Sequence, residues 1–218
     1  MKKKVLITTS VIAVLVAGIC VTLAFLTDKE EVKNTFTIGE VNISLNETAV
    51  NSDGKPIEGA ERVIENNYHL LPGNSYIKDP TVTVEAGSDE SFIRMLVTLN
   101  KYKELKEIFG EDFEPGNFVT GYNSEKWIYI GKTLGSNNDV TYEFRYHKTV
   151  SGYNGETKEN QVLEPLFETI EVPGEIEAKD LEKIADLEIT VIGHAIQASG
   201  FDGLADVAWA AFAKQYNE

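Results

Sequence analysis

The sequence predicts a mainly β protein, an antiparallel β-sandwich with a few short helices, one of them at the C-terminus. Three observations predict it. Apolar residues recur with period two in several separate stretches, turns rich in Gly, Asn and Pro divide those stretches, and segments of helical spacing are few and short. Residues 1–24 are set aside. Lys2, Lys3 and Lys4 precede the uncharged run Val5 to Leu26, the order in which an export signal keeps its basic end cytoplasmic while its apolar part enters the bilayer. Thr22 and Ala24 place small residues three and one before a cut, so cleavage is expected between Ala24 and Phe25. An uncleaved anchor is the alternative, since about 20 apolar residues span a bilayer. Either way the bulk of the chain is expected outside the cytoplasm, with residues 25–218 forming one domain.

From Thr35 to Leu45 the apolar residues are Phe36 and Ile38, then Val41, Ile43 and Leu45. The period is two, and its phase flips across Gly39 and Glu40, as a β-bulge or bend requires. Asn51 to Gly59 reads as a surface loop, and Pro72-Gly73 and Asp79-Pro80 bracket a short segment. Val82 and Val84 form a strand that ends in the turn 86–89. Ile93, Met95, Val97 and Leu99 share one face of the next strand. Trp127 to Ile130 is a short strand, and Val140, Tyr142, Phe144 and Tyr146 alternate cleanly with polar residues. Leu187 to Ala198 is apolar on both faces and is expected to be a central, covered strand. Helices are expected over Lys101 to Phe109, closed by Gly110, over Ala178 to Leu187, and over Asp202 to Tyr216. The last has Asp202 as its N-cap and a stripe of Leu204, Val207, Ala208, Ala211 and Phe212.

The chain has 218 residues, 42% of them hydrophobic, enough for a core, and 20 Lys+Arg against 35 Asp+Glu give a net charge of −15. Loss of the three leading lysines makes the mature chain more acidic still. Such a surface repels nucleic acid and anionic membranes, so no nucleic-acid partner is expected, and contact with a membrane only before cleavage. Cys20, the one cysteine, leaves with the signal, and Ile19 and Ala17 do not fit a lipidation signal. The mature chain then has no disulfide, no thiol nucleophile and no thiolate metal ligand.

Three histidines are available, His69, His147 and His194, none within a helical turn of another, so the HExxH zinc arrangement does not occur. His194 is expected to be a hydrogen-bonded core histidine, and a zinc site gathered from all three by folding is the lesser alternative. No GxSxG elbow occurs, and Glu111, Asp112 and Glu114 read as a solvated loop face rather than a glycosidase pair. Asp53 to Glu58 and Ser136 to Asp139 are candidates for weak calcium binding, without EF-hand spacing. Asn46-Glu47-Thr48 fits a glycosylation sequon, which needs a eukaryotic secretory route. No catalytic residue, cofactor-binding residue or metal ligand is therefore assigned. What stands out is position: an extended segment directly behind the cleavage point.

That segment carries a resemblance. Ala24-Phe25-Leu26-Thr27-Asp28, followed by Asn34 to Glu47 (NTFTIGEVNISLNE), resembles the start of the TasA and camelysin (CalY) family, whose signal peptides are processed by a SipW-type signal peptidase. Leu71-Pro72-Gly73, Lys78 to Val82, Ser91-Phe92-Ile93-Arg94, Pro165-Leu166-Phe167 and Ala195 to Ala198 look family-like and occur in the expected order. The resemblance implies a jelly-roll-like β-sandwich, secreted or held at the cell wall of a Gram-positive bacterium, that serves as a structural subunit of biofilm matrix fibres. It also implies that the N-terminal strand of one subunit completes the sheet of its neighbour. Carried to this chain, that strand is Phe25 to about Thr37, with Phe25, Val32 and Phe36 as anchors and Gly39 at its bend. The expected partners are further copies of the chain, the signal peptidase and a minor anchoring protein. The alternatives are a camelysin-type surface zinc endopeptidase and a monomeric binding module whose exposed Tyr and Trp contact polysaccharide.

Overall fold

The computed structural model describes residues 40–216, which belong to a single unit beginning at Gly39. Ala24, Phe25, Val32, Phe36 and Gly39, the residues expected to serve cleavage and assembly, lie outside the described residues, as do the apolar leader and Cys20. In chain order the described elements are β1 (Ile43–Asn46), β2 (Ser75–Ile77), β3 (Thr81–Val84), β4 (Ser91–Leu99), α1 (Tyr102–Phe109), β5 (Val119–Thr120), β6 (Trp127–Leu134) and β7 (Val140–Tyr146). They continue with β8 (Tyr153–Asn154), β9 (Thr157–Lys158), β10 (Gln161–Val162), β11 (Thr169–Glu171), α2 (Ala178–Lys183), β12 (Ile189–Gln197) and α3 (Ala205–Tyr216). The fold is mainly β, and each strand pairing is antiparallel.

The largest sheet has the order β12-β4-β7-β6, beside three-stranded sheets β1-β3-β10 and β2-β11-β5 and the hairpin β8-β9. β4 sits at its centre. All nine of its residues pair with β12, from Ser91↔Gln197 to Leu99↔Ile189, while Arg94 to Leu99 pair with β7 on the other flank. The period-two pattern decides the faces. Ile93, Met95, Val97 and Leu99 join Val140, Tyr142 and Phe144 of β7 in the main core, with Val82 and Val84 of β3, Tyr76 of β2 and Ile170 of β11. The two layers touch closely at Gly193 of β12, where a Cβ would stand 3.4 Å from Val82 Cγ2 and 3.5 Å from Ile43 Cδ1.

The opposite face of β4 is covered by α3, whose Ala208, Trp209 and Phe212 pack on Phe92 with Ile196 and Ala198 alongside. Arg94, on this face, stacks its guanidinium 4.6 Å from the Trp209 ring centre and 4.9 Å from that of Phe212. Its Nε donates to His194 Nδ1 at 3.1 Å, so His194 has the hydrogen-bonded role expected of it. Arg145 reaches Asp206 in the first turn of α3 at 2.5 Å. α1 starts after Lys101, which has φ 60, and closes at Gly110, which has φ 104. Its first turn is held from outside, Asn138 Oδ1 accepting from Lys103 N at 2.8 Å.

Five expectations are corrected. β12 is not central: among the described residues β4 is its only strand partner, and Ile192 on its outer face is 46% exposed. Its apolar outer face follows from partial cover by α3 rather than from enclosure in the sheet. Asp202 is not an N-cap, because it adopts φ 49 within the turn before α3, and the helix begins three residues later at Ala205. Leu204 and Val207 are exposed while Trp209 is buried, because the helix packs through a narrow stripe centred on Ala208. α2 ends at Lys183, leaving Ile184 buried beyond its end and Ala185 exposed. β6 also extends past Ile130 to Leu134, with a register shift between Tyr129 and Gly131.

Trp127 anchors the far side of the core. It is fully buried, its Nε1 donates to Glu164 O at 2.9 Å, and its ring meets Tyr146 edge-on at 5.1 Å. Trp127→Ala should therefore cost about 4 kcal/mol, from the lost burial and the cavity it leaves. Urea unfolding should show this as a lowered midpoint with little change in slope.

Candidate functional site

The described residues enclose a groove of about 930 Å³ between β12 and α2 on one side and the segment 64–72 on the other. Phe118 and Ile170 lie at its floor together with Leu45, Leu181 and Ile184. Its two walls share a property set by backbone geometry. Asn100 N donates to Glu188 O and Ala198 N donates to Glu90 O. Antiparallel pairs alternate between bonded and non-bonded, so the even-numbered residues of β12 spend their backbone groups on β4. Ile189, Val191, Gly193, Ala195 and Gln197 consequently turn their N–H and C=O away from the sheet, and no described strand meets them.

The opposite wall is extended but belongs to no sheet. Its side chains alternate, with Asn66, Tyr68 and Leu70 partly buried and Glu65, Asn67, His69 and Leu71 exposed. Of its backbone N–H groups between residues 64 and 71, those of His69 and Leu71 have described partners, Ser52 O and the Tyr76 hydroxyl. The groove is thus flanked on both sides by strand-like backbone with unspent donors and acceptors.

Polar side chains fix this wall in place of a ladder. Arg62 donates to Asn46 O, Asp79 O and Thr81 Oγ1 and pairs with the Asp79 carboxylate at 3.0 Å. Asn66 donates to Glu47 Oε1 and Thr48 O and accepts from Val50 N. Tyr68 donates to Ile77 O at 3.0 Å. Burial first, and then the nearby Glu47 carboxylate, push the Tyr68 hydroxyl pKa up. Beneath the wall, Lys78 Nζ meets Glu47 Oε2 at 2.7 Å with both side chains less than one-tenth exposed. The rim is acidic. Glu65, Glu182 and Glu188 line it, all exposed, and none forms an ion pair among the described residues.

The residues considered for chemistry lie apart. His69 stands on the groove wall, His147 is exposed behind β7, and His194 accepts from Arg94. No group of three or more His, Cys, Asp or Glu among the described residues is arranged to hold a metal ion. Glu111 and Glu114 pair with different lysines, Lys106 and Lys132. Of the calcium candidates, Asp53 sits in a turn and Asp139 follows the bend at 136–138, its Oδ1 accepting from Asn137 N. Asn46, the sequon asparagine, accepts from Arg62 Nε. Among the described residues no helix is long and apolar enough to cross a membrane. No protein-family model, curated protein or solved structure matches the chain.

Sequence reasoning did not find the groove. Its wall, residues 64–71, carries only a faint alternation through Tyr68 and Leu70, and the polar anchors Arg62, Asn66 and Asp79 are far from their partners in sequence. Because Glu47 is buried, Lys78→Met alone should destabilise the protein by about 3 kcal/mol, the cost of an unpaired buried charge. The joint change Glu47→Leu with Lys78→Met should recover most of that loss, as read by urea midpoints of the two variants.

Proposed function

We propose that the protein is an exported structural subunit that polymerises by strand addition, residues 25–37 of one copy entering the groove of the next. The observation that supports this most is the pair of unspent backbone rows facing one groove. An inserted strand satisfies both at once, while its alternate side chains reach the apolar floor. In the segment that follows the expected cut at Ala24, Val32 and Phe36 stand four residues apart and so share one face when extended. Donation from each copy to the next is heterologous and so builds an open filament rather than a closed ring.

The likeness to TasA and camelysin leads to the same reading and adds its setting: secretion through a SipW-type signal peptidase, residence in an extracellular matrix or at the cell surface, and a minor anchoring protein as partner. The subunit is non-enzymatic in this reading and needs no cofactor. Secreted chain should sediment as filaments visible by negative-stain microscopy. Removal of residues 25–37 should abolish the filaments while leaving the β-rich circular dichroism intact. Filaments that persist in the shortened chain would overturn the reading.

A further inference from the structure

The groove rim carries three carboxylates without a described ion-pair partner, Glu65 on one wall and Glu182 and Glu188 on the other. The one lysine lining the groove, Lys78, is already committed to Glu47. An inserted strand therefore meets an apolar floor beneath it and uncompensated negative charge above it. In a chain of net charge −15, most segments are excluded by that rim.

Within the segment that precedes the described residues, Val32 to Ile38 reads Val-Lys-Asn-Thr-Phe-Thr-Ile. In an extended conformation Val32, Asn34, Phe36 and Ile38 share one face, and Lys33, Thr35 and Thr37 share the other. Within this stretch the second face carries one charge, the positive Lys33, while Asp28, Glu30 and Glu31 precede it. Seven extended residues span about 23 Å, so such a strand would run past the stretch of β12 that lines the groove, Ile189 to Val191, and on along the open edge of β12. Resting on the strand-addition reading above, we infer that the groove selects its occupant by charge. It takes the Val32–Ile38 strand of a second copy with the apolar face down and Lys33 turned to the carboxylates of Glu65, Glu182 and Glu188. Lys33 and these glutamates are the residues that set which strand is accepted.

The test separates this rule from general repulsion between acidic subunits, because the two predict opposite signs. The joint change Glu182→Lys with Glu188→Lys makes each subunit less negative, so repulsion alone predicts more sedimentable polymer. The charge rule predicts less, by roughly three- to fivefold, the size a part-exposed ion pair supports. Lys33→Glu in the full secreted chain should lower the polymer similarly, and adding it to the Glu182→Lys, Glu188→Lys chain should restore assembly. Lys148→Glu, which changes an exposed lysine outside the groove and alters net charge by the same amount as Lys33→Glu, should leave the sedimented mass unchanged. Each variant is checked for unaltered circular dichroism. A gain or no change with the two glutamate reversals, or no recovery in the combined chain, overturns the charge rule alone. Polymer from a chain lacking residues 25–37 overturns the strand-addition reading beneath it.

Discussion

Both flanks and both faces of β4 are occupied. Its nine residues pair with β12 along their full length and with β7 over the last six, its odd residues fill the core and Phe92 and Arg94 lie under α3. The register with β12 is fixed by this crowding, since a slip of one residue would send Met95 and Val97 to the helix side and Arg94 into the core. Once the register is fixed, so is the parity of β12. Ile189, Val191 and Ala195 present their side chains to the core, and the odd residues turn their backbone groups away from β4, Ile189 and Val191 toward the groove. Gly193 belongs to this constraint, because a larger residue there would press on Val82 and Ile43 and lift β12 from the opposing layer.

The facing wall is held by a different means. A segment that keeps its backbone donors unspent cannot be positioned by a ladder, so its placement falls to side chains that reach across from neighbouring elements. Arg62, Asn66 and Tyr68 perform that task, each bonding to backbone or carboxylate groups of β1, of the segment after it, or of the stretch from β2 to β3. The buried Glu47–Lys78 pair lies below them. A buried ion pair contributes little net stability compared with apolar packing, but it fixes direction, because each partner is strongly penalised if displaced.

Much of the fold was legible in the sequence wherever one face of a strand is buried and the other is not. β4 and β7 could be read residue by residue because alternation records exactly that asymmetry of environment. β12 could not, because apolar residues on both faces signify cover without saying what provides it, and here a helix covers part of one face. Asp202 has the residue type of an N-cap, but the turn through Gly200 and Gly203, both at positive φ, delays the helix to Ala205. The groove was least legible of all. It is made by contacts such as Asn66 to Glu47 and Arg62 to Asp79, whose partners lie 19 and 17 residues apart and leave no periodic trace.

The two edges of the largest sheet are treated differently. β6, at one edge, carries Lys132 and a register irregularity at Tyr129 and Gly131, both of which discourage an incoming strand. β12, at the other, runs Ile-Thr-Val-Ile-Gly-His-Ala-Ile-Gln without a proline, lysine, arginine or carboxylate and pairs with β4 without interruption. Folded proteins normally protect such an edge, since it pairs readily with any extended chain. The charges near this edge are off the strand, on Glu65, Glu182 and Glu188, which line the groove beside it. A small polar ligand would leave the two backbone rows unspent, and a helix offers no free main-chain groups to fill them. An extended segment that is apolar on one side and basic on the other would match the backbone rows, the apolar floor and the acidic lining together.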